Sequence, residues 1–402
     1  FVQNFSMTTA TIYLKPKKDE SIRRFHPWVF SGAIKRIEGL ATNGDLVKVC
    51  ANKGGVLGYG HYSPDATIAV RMIQFKEDEP SEDFWKEKLQ NAFNLRESLG
   101  FTSNPNSNTY RLVHAEGDGL PGLIIDHYDG HLVIQAHSLG MHNHRVQIAD
   151  ALKEIYGKEL KSIYDKSAET LKKNGAADAE NEYLFGSSED GNTSLENGHK
   201  FLIDWEGGQK TGFFIDQREN RALLGQYSKG KKVLNTFCYT GGFSIYALGM
   251  GATEVHSLDS SSKALELVEK NLEINGFDTK NHKNIHADAV PYMKEVANDY
   301  DIIILDPPAF AKHKSARHKA VQGYKRINAR AMESIKKGGL IFTFSCSQAV
   351  DKSLFTHTVI SAAISVGREA RILHQLHQPA DHPISAYHPE GEYLKGLVVQ
   401  IN

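Results

Sequence analysis

Between Thr11 and Phe75 apolar and polar positions alternate in short runs, TIYLK, WVFSGAI, GDLVKVC, GGVLGYGHY and ATIAVRMIQF, separated by polar or glycine-containing turns. Period-two alternation is the mark of half-buried strands, and runs this short and close together predict a small β-barrel. The period then lengthens: Phe84, Trp85, Leu89, Phe93 and Leu95 predict a helix over 82–99. Strand patterns return in YRLVHAEGDG, GLIIDHYDG and HLVIQAH, followed by a helix from about His142 to Ile155 and a strand near Ile163. Residues 167–194 are polar and acidic and predict mostly surface loop, and NGHKFLIDWEGGQKTGFFID predicts a hairpin leading into the last domain.

From Lys231 the pattern becomes strand, helix, strand: KKVLNTF, a helix through Ala247, EVHSLD, a helix from Ser260 to Asn275, KNIHAD, a helix, YDIIILD, a helix, GGLIFTFS. Such alternation predicts a parallel sheet covered on both faces. The helix after Asp259 has serines at its start, Ala264, Leu265, Val268 and Leu272 on one face, and Gly276 past its end. The predicted fold class is α/β: an N-terminal β-barrel (11–78), a central α+β domain (79–204) and a Rossmann-like domain (205–402). A chain of 402 residues suits two or three domains.

Composition adds little, with 47 basic and 48 acidic residues giving a net charge of -1. Local charge says more. Residues 11–36 hold seven Lys/Arg against two acids, and residues 312–330 hold seven with no acid. Such runs read as solvated faces or as nucleic-acid contacts. Cys50, Cys238 and Cys346 are odd in number and widely spaced, which indicates neither a disulfide framework nor a zinc site. The 19 histidines do not pair with other ligand types at metal-binding spacing, so no metal is expected. No run approaches the ~18 apolar residues of a membrane span. The segment before Met7 reads as a leader or an added remnant outside the fold, and a cytoplasmic location is expected.

In an open parallel sheet the ligand lies at the carboxyl ends of the strands. The first strand runs into NTFCYTGGF, Asn235 to Phe243, a glycine turn that lets a ligand approach the backbone. The second ends at Asp259, where dinucleotide folds place an acid that reads ribose hydroxyls; the third ends at Asp288 and the fourth at Asp306. Each acid alone also reads as a helix cap, but three around one crevice argue for a site. The turn is neither a G-x-G-x-x-G fingerprint nor a P-loop, which disfavours a pyrophosphate and favours a ligand with an adenosine and an amino-acid end.

The run NTFCYTGGFS, the acids Asp259 and Asp288, and LDPPAF from Leu305 to Phe310 resemble the successive motifs of class I methyltransferases that bind S-adenosylmethionine. That resemblance implies that Asp259 holds the ribose, Asp288 the adenine end, and Asn235, Phe237, Tyr239, Thr240 and Gly241 the methionine portion, with Asp306 lining the same site. GQKTGFFIDQREN from Gly208 to Asn220 and HPWVFSGAI from His26 to Ile34 resemble the bacterial large-subunit (23S) ribosomal RNA cytosine-C5 methyltransferases. The resemblance runs from about Lys15 to the final YLKGLVVQI. It implies an N-terminal PUA domain, an RNA substrate, a homodimer, and cofactor contacts from Lys210, Thr211, Phe213, Asp216 and Gln217.

The fifth strand of the last domain ends at Ser345, Cys346 and Ser347. Carbon-5 of cytosine is a poor nucleophile until a thiolate adds at carbon-6, and a cysteine at the mouth of the crevice is what that chemistry requires. A lone cysteine there also reads as a small buried hydrophobe. The Ser-Cys-Ser run resembles the catalytic motif of RNA pyrimidine-C5 methyltransferases, which implies that Cys346 is the nucleophile and that Asp306 hydrogen-bonds the target base. Cys238, in the turn, reads as a cofactor contact or packing, and Cys50 as structural.

A base inside stacked RNA must be taken out before it can react. Lys312, Lys314 and Arg326 directly follow Asp306, and Phe310 would stack on the base. At the N-terminus Arg23, Arg24, His26 and Trp28 combine charge with an aromatic, although Trp28 reads equally as core. Two rival readings remain: an adenine-N6 methyltransferase that uses Asp306 and its prolines without a cysteine, and a noncatalytic RNA-binding assembly factor.

Overall fold

Local alternation in the N-terminal segment yields six strands, one more than its five apolar runs, because WVFSGAI is broken by a 3-10 turn at Ser31–Ala33 into Trp28–Phe30 and Ile34–Glu38. A computed structural model of the chain describes residues 9–189, 191–296, 298–311 and 313–402. The chain forms two units, and the first contains residues up to 192 together with Asp204–Gly212 and Ala380–Gly391. In it the six strands make one sheet around Ile12, Leu14, Val29, Val47, Val49 and Val70. A five-stranded sheet follows, whose strands Thr109–His114, Leu123–Tyr128 and His131–Ala136 form a meander. Helices Phe84–Ser98 and Arg145–Tyr156 contribute Leu89, Ala92, Ile148 and Leu152 to that core.

The structure departs from the sequence pattern at three places. The helix expected from His142 to Ile155 is two helices, Leu139–Asn143 and Arg145–Tyr156. The acidic segment is not mostly loop: it holds helix Ala168–Lys173 and strand Glu182–Gly186, which adds an antiparallel edge to Ser162–Asp165, Tyr183 opposite Tyr164 and Phe185 opposite Ile163, with Leu184 at the register shift between them. The hairpin is Thr193–Glu196 with His199–Leu202, closed at Asn197 and Gly198, both at positive φ, and does not extend to Asp216.

The second unit contains Thr193–Ile203, Phe213–Pro379 and Glu392–Asn402. Its sheet is built from β1 (Lys232–Thr236), β2 (Glu254–Asp259), β3 (His282–His286), β4 (Ile302–Leu305), β5 (Gly339–Ser345), β6 (Ala370–His377) and β7 (Lys395–Ile401). The strand order is β3-β2-β1-β4-β5-β7-β6, parallel except for β7. Strand periodicity sorts the core: Ile302 and Ile304 face helices Arg218–Ser228 and α1 (Gly242–Gly249), whereas Ile303 and Leu305 face α3 (Ala289–Glu295), α4 (Arg317–Ser334) and α5 (Lys352–Val366). Helix α2 (Ser262–Ile274) starts at Ser261, whose side chain accepts from the Ala264 amide. Among the described residues no helix is long and apolar enough to cross a membrane.

Candidate active site at the carboxyl edge of the sheet

Register fixes which residues share the edge. Thr236 of β1 lies level with Leu258 of β2 and Leu305 of β4, and Leu305 lies level with Thr343 of β5. Asp259, Asp306 and Cys346 therefore emerge along one edge from β2, β4 and β5, with the turn after β1 between the first two.

That turn is strained. Phe237 and Tyr239 sit at φ 55° and 46°, and Gly241 at φ 80° precedes α1, where an added Cβ would lie 3.0 Å from Val268. Non-glycine residues in the left-handed region mark sites whose surroundings enforce the geometry. One enforcer is Asp259, whose carboxylate accepts from the Tyr239 amide at 3.0 Å and the Ser261 amide at 2.9 Å. Another is Asn271, which donates to the carbonyl of Thr240 at 2.9 Å. Asn235 is buried and donates to Ser244, while its Oδ1 has no partner among the described residues. Asp288 occupies the cap position of α3, yet its exposed side chain makes no cap hydrogen bond.

Asp306 accepts from Gln217 Nε2 at 3.0 Å, and Gln217 Oε1 in turn accepts from Asn220 at 2.6 Å. Asp216 accepts from the Tyr393 hydroxyl at 2.7 Å. Phe213 is buried against Phe201, under the guanidinium of Arg221. Lys210 and Thr211 belong to the first unit, where the fully buried Thr211 hydroxyl donates to Asp126 at 2.6 Å and pairs with Tyr128.

Cys346 is half-exposed, while Cys50 and Cys238 are buried. Burial and the adjacent Asp259 push the Cys238 thiol well up, which disfavours its thiolate. Ser345 and Ser347 are buried on either side of Cys346, and the Ser347 hydroxyl donates to the Ala311 carbonyl at 2.7 Å. Two groups here were not singled out by sequence: Tyr324 of α4, whose phenol burial raises to about 12, and Lys395 of β7. Helical periodicity marks Tyr324 as core, but only the β5–β7 register brings Lys395 level with Ser345.

Phe310 packs on Tyr324, ring centroids 4.7 Å apart, and the Arg326 side chain is exposed. Lys312 lies outside the described residues, as does the side chain of Lys314. In the first unit Arg23 pairs with Asp19 at 2.7 Å, Arg24 is exposed, and the half-buried Trp28 donates to Glu116 at 2.8 Å. His26, His388 and Glu390 form a cluster with metal-ligating atoms, against the expectation that no such group exists. The Trp28 amide donates to His26 Nδ1, so the proton of the neutral ring sits on Nε2 and points a donor, not a lone pair, toward Glu390.

A family model described as S-adenosylmethionine-dependent methyltransferase matches residues 120–387, and one described as PUA-like domain matches residues 12–75. The chain is 41% identical over 398 residues to the Ribosomal RNA large subunit methyltransferase I of Tolumonas auensis, covering 98% of this chain and 99% of the relative. A solved S-adenosylmethionine-dependent methyltransferase from Streptococcus mutans shares the fold at TM-score 0.82 and 22% identity, covering 97% of this chain and 99% of that one. A methyltransferase solved with S-adenosylhomocysteine aligns over the same shares of the two chains at TM-score 0.84 and 22% identity.

Proposed function

Since the chain belongs to the Ribosomal RNA large subunit methyltransferase I family, whose cofactor is S-adenosylmethionine, we propose that it methylates carbon-5 of a cytosine in 23S ribosomal RNA through a covalent adduct with Cys346. One observation carries this reading: the single half-exposed thiol stands at the carboxyl edge of the sheet, one strand from Asp306, while the other two cysteines are buried.

The edge suits such a cofactor. The strained turn would offer backbone to the methionine end, Asp259 would hold the ribose, and Asp288, whose side chain makes no cap hydrogen bond, the adenine end, with Phe213, Asp216 and Gln217 as further proposed contacts. The cofactor supplies an electrophilic methyl group. The Cys346 thiolate adds to carbon-6 of the cytosine, which makes carbon-5 an enamine-like nucleophile; after methylation a base takes the carbon-5 proton and the thiolate leaves. Asp306, oriented by Gln217, would bind the amino group or protonated ring nitrogen of the base. Arg23, Arg24, His26, Trp28, Phe310, Lys312, Lys314 and Arg326 are the proposed RNA contacts.

Digesting 23S ribosomal RNA to nucleosides after incubation with methyl-labelled cofactor tests the specificity. The label is expected in 5-methylcytidine. Label in N6-methyladenosine instead would transfer the role of Asp306 to an adenine enzyme and retire the thiolate.

A further inference from the structure

Lys395 is a charged residue in the apolar strand β7, only 4% exposed, between buried Leu394 and Leu397. It lies level with Ser345, the residue before Cys346, on one side and with His377 of β6 on the other. Its ammonium donates to the carbonyls of Ser347 at 2.7 Å and Val350 at 2.8 Å, both in the loop that leaves Cys346. Those carbonyls satisfy hydrogens but bring no net charge, and an ammonium taken out of water calls for a counter-ion. Burial pushes Lys395 below its ordinary range, and Cys346 opposes that most strongly, ahead of Glu392 and Asp351. Asp351 is already engaged by Arg317 at 3.0 Å and by the Leu354 amide at 2.9 Å. Tyr324 also bears on the thiol but is neutral at physiological pH, and Asp306, which bears on Tyr324, accepts from Gln217.

We propose that Lys395 is a positioning residue that holds Cys346 as its thiolate, by setting a buried positive charge beside the sulfur and by pinning the loop that carries it. The inference rests on the reading of Cys346 as the nucleophile. The thiol proton leaves to water, and the sulfur anion that remains balances the ammonium. A lysine serving the loop alone would influence folding and leave the ionisation of the thiol where an ordinary cysteine has it.

The test is peptide-resolved alkylation of Cys346 by iodoacetamide across a pH series, with neither RNA nor cofactor present. In the native protein the midpoint is expected below the ordinary value of about 8.5. Lys395→Met should raise it by about one unit, lowering alkylation near neutral pH about tenfold, and Lys395→Arg should keep it close to native. A native midpoint at or above the ordinary value, or an unchanged midpoint in a folded Lys395→Met, overturns the proposal. Should Lys395→Met fail to melt cooperatively, the native and Lys395→Arg midpoints decide. Trapping of RNA by Cys346 is scored separately, so a thiol that is acidic but catalytically idle would refute the nucleophile and leave the charge pairing standing.

Discussion

In the proposed site one side chain, Asp259, serves both the turn and the ligand. Its two oxygens already accept the Tyr239 and Ser261 amides, which fixes the carboxylate and leaves its remaining lone pairs for ribose hydroxyls. Asp259→Ala removes a hydrogen bond from the ribose to a charged group, worth roughly 1.5–3 kcal/mol, so S-adenosylmethionine affinity should fall about 10- to 150-fold in calorimetric titration. An affinity within twofold of native would refute the ribose role. The strand-end placement of this residue, Asp288, Asp306 and Cys346 was legible because strand ends announce themselves in sequence, and parallel sheets collect ligands there. Lys395 was not, since a lysine next to a glycine reads as surface until the register of β7 against β5 buries it.

At the scale of elements, the least legible stretch was the one before the last sheet. The Asn197 and Gly198 pair is a strong hairpin signal, but the longer apolar run through Phe213 and Phe214 drew the predicted hairpin too far. What holds the true hairpin is not visible in any local pattern. Glu196 at its turn is fully buried and takes two bonds from Arg221 of the following helix, at 2.9 and 2.8 Å, and one from Tyr246 of α1 at 3.0 Å. Breaking such a pair leaves an uncompensated buried charge. Arg221→Met should therefore destabilise the second unit by about 3–5 kcal/mol in urea unfolding, and adding Glu196→Met should restore much of that loss. A single variant as stable as the native protein would show that the pair is dispensable.

The molecule as a whole carries almost no net charge, with acid-poor basic runs at 11–36 and 312–330. Sequence displayed that segregation fully; which histidines folding removes from water it did not. Burial lowers His61 to about 3 and His127 and His282 to about 4. Each is neutral when folded, whereas the unfolded chain binds a proton near pH 6.5, so the unfolded state takes up more protons between those values. The stability these groups contribute is complete above about pH 6.5 and is lost as pH falls toward about 4, and thermal midpoints should drop steadily across that interval. Midpoints flat from pH 7 to 4.5 would contradict the burial of these rings. The proposed chemistry, however, turns on one sulfur atom. The most direct measurement is incubation with S-adenosylmethionine and 23S ribosomal RNA carrying 5-fluorocytidine, followed by a denaturing gel. Fluorine at carbon-5 cannot be removed as a proton, so a covalent protein–RNA complex should accumulate with the native chain and with Cys238→Ala, and vanish with Cys346→Ala. Absence of the complex, together with undiminished methyl transfer to ordinary RNA by Cys346→Ala, would contradict the account.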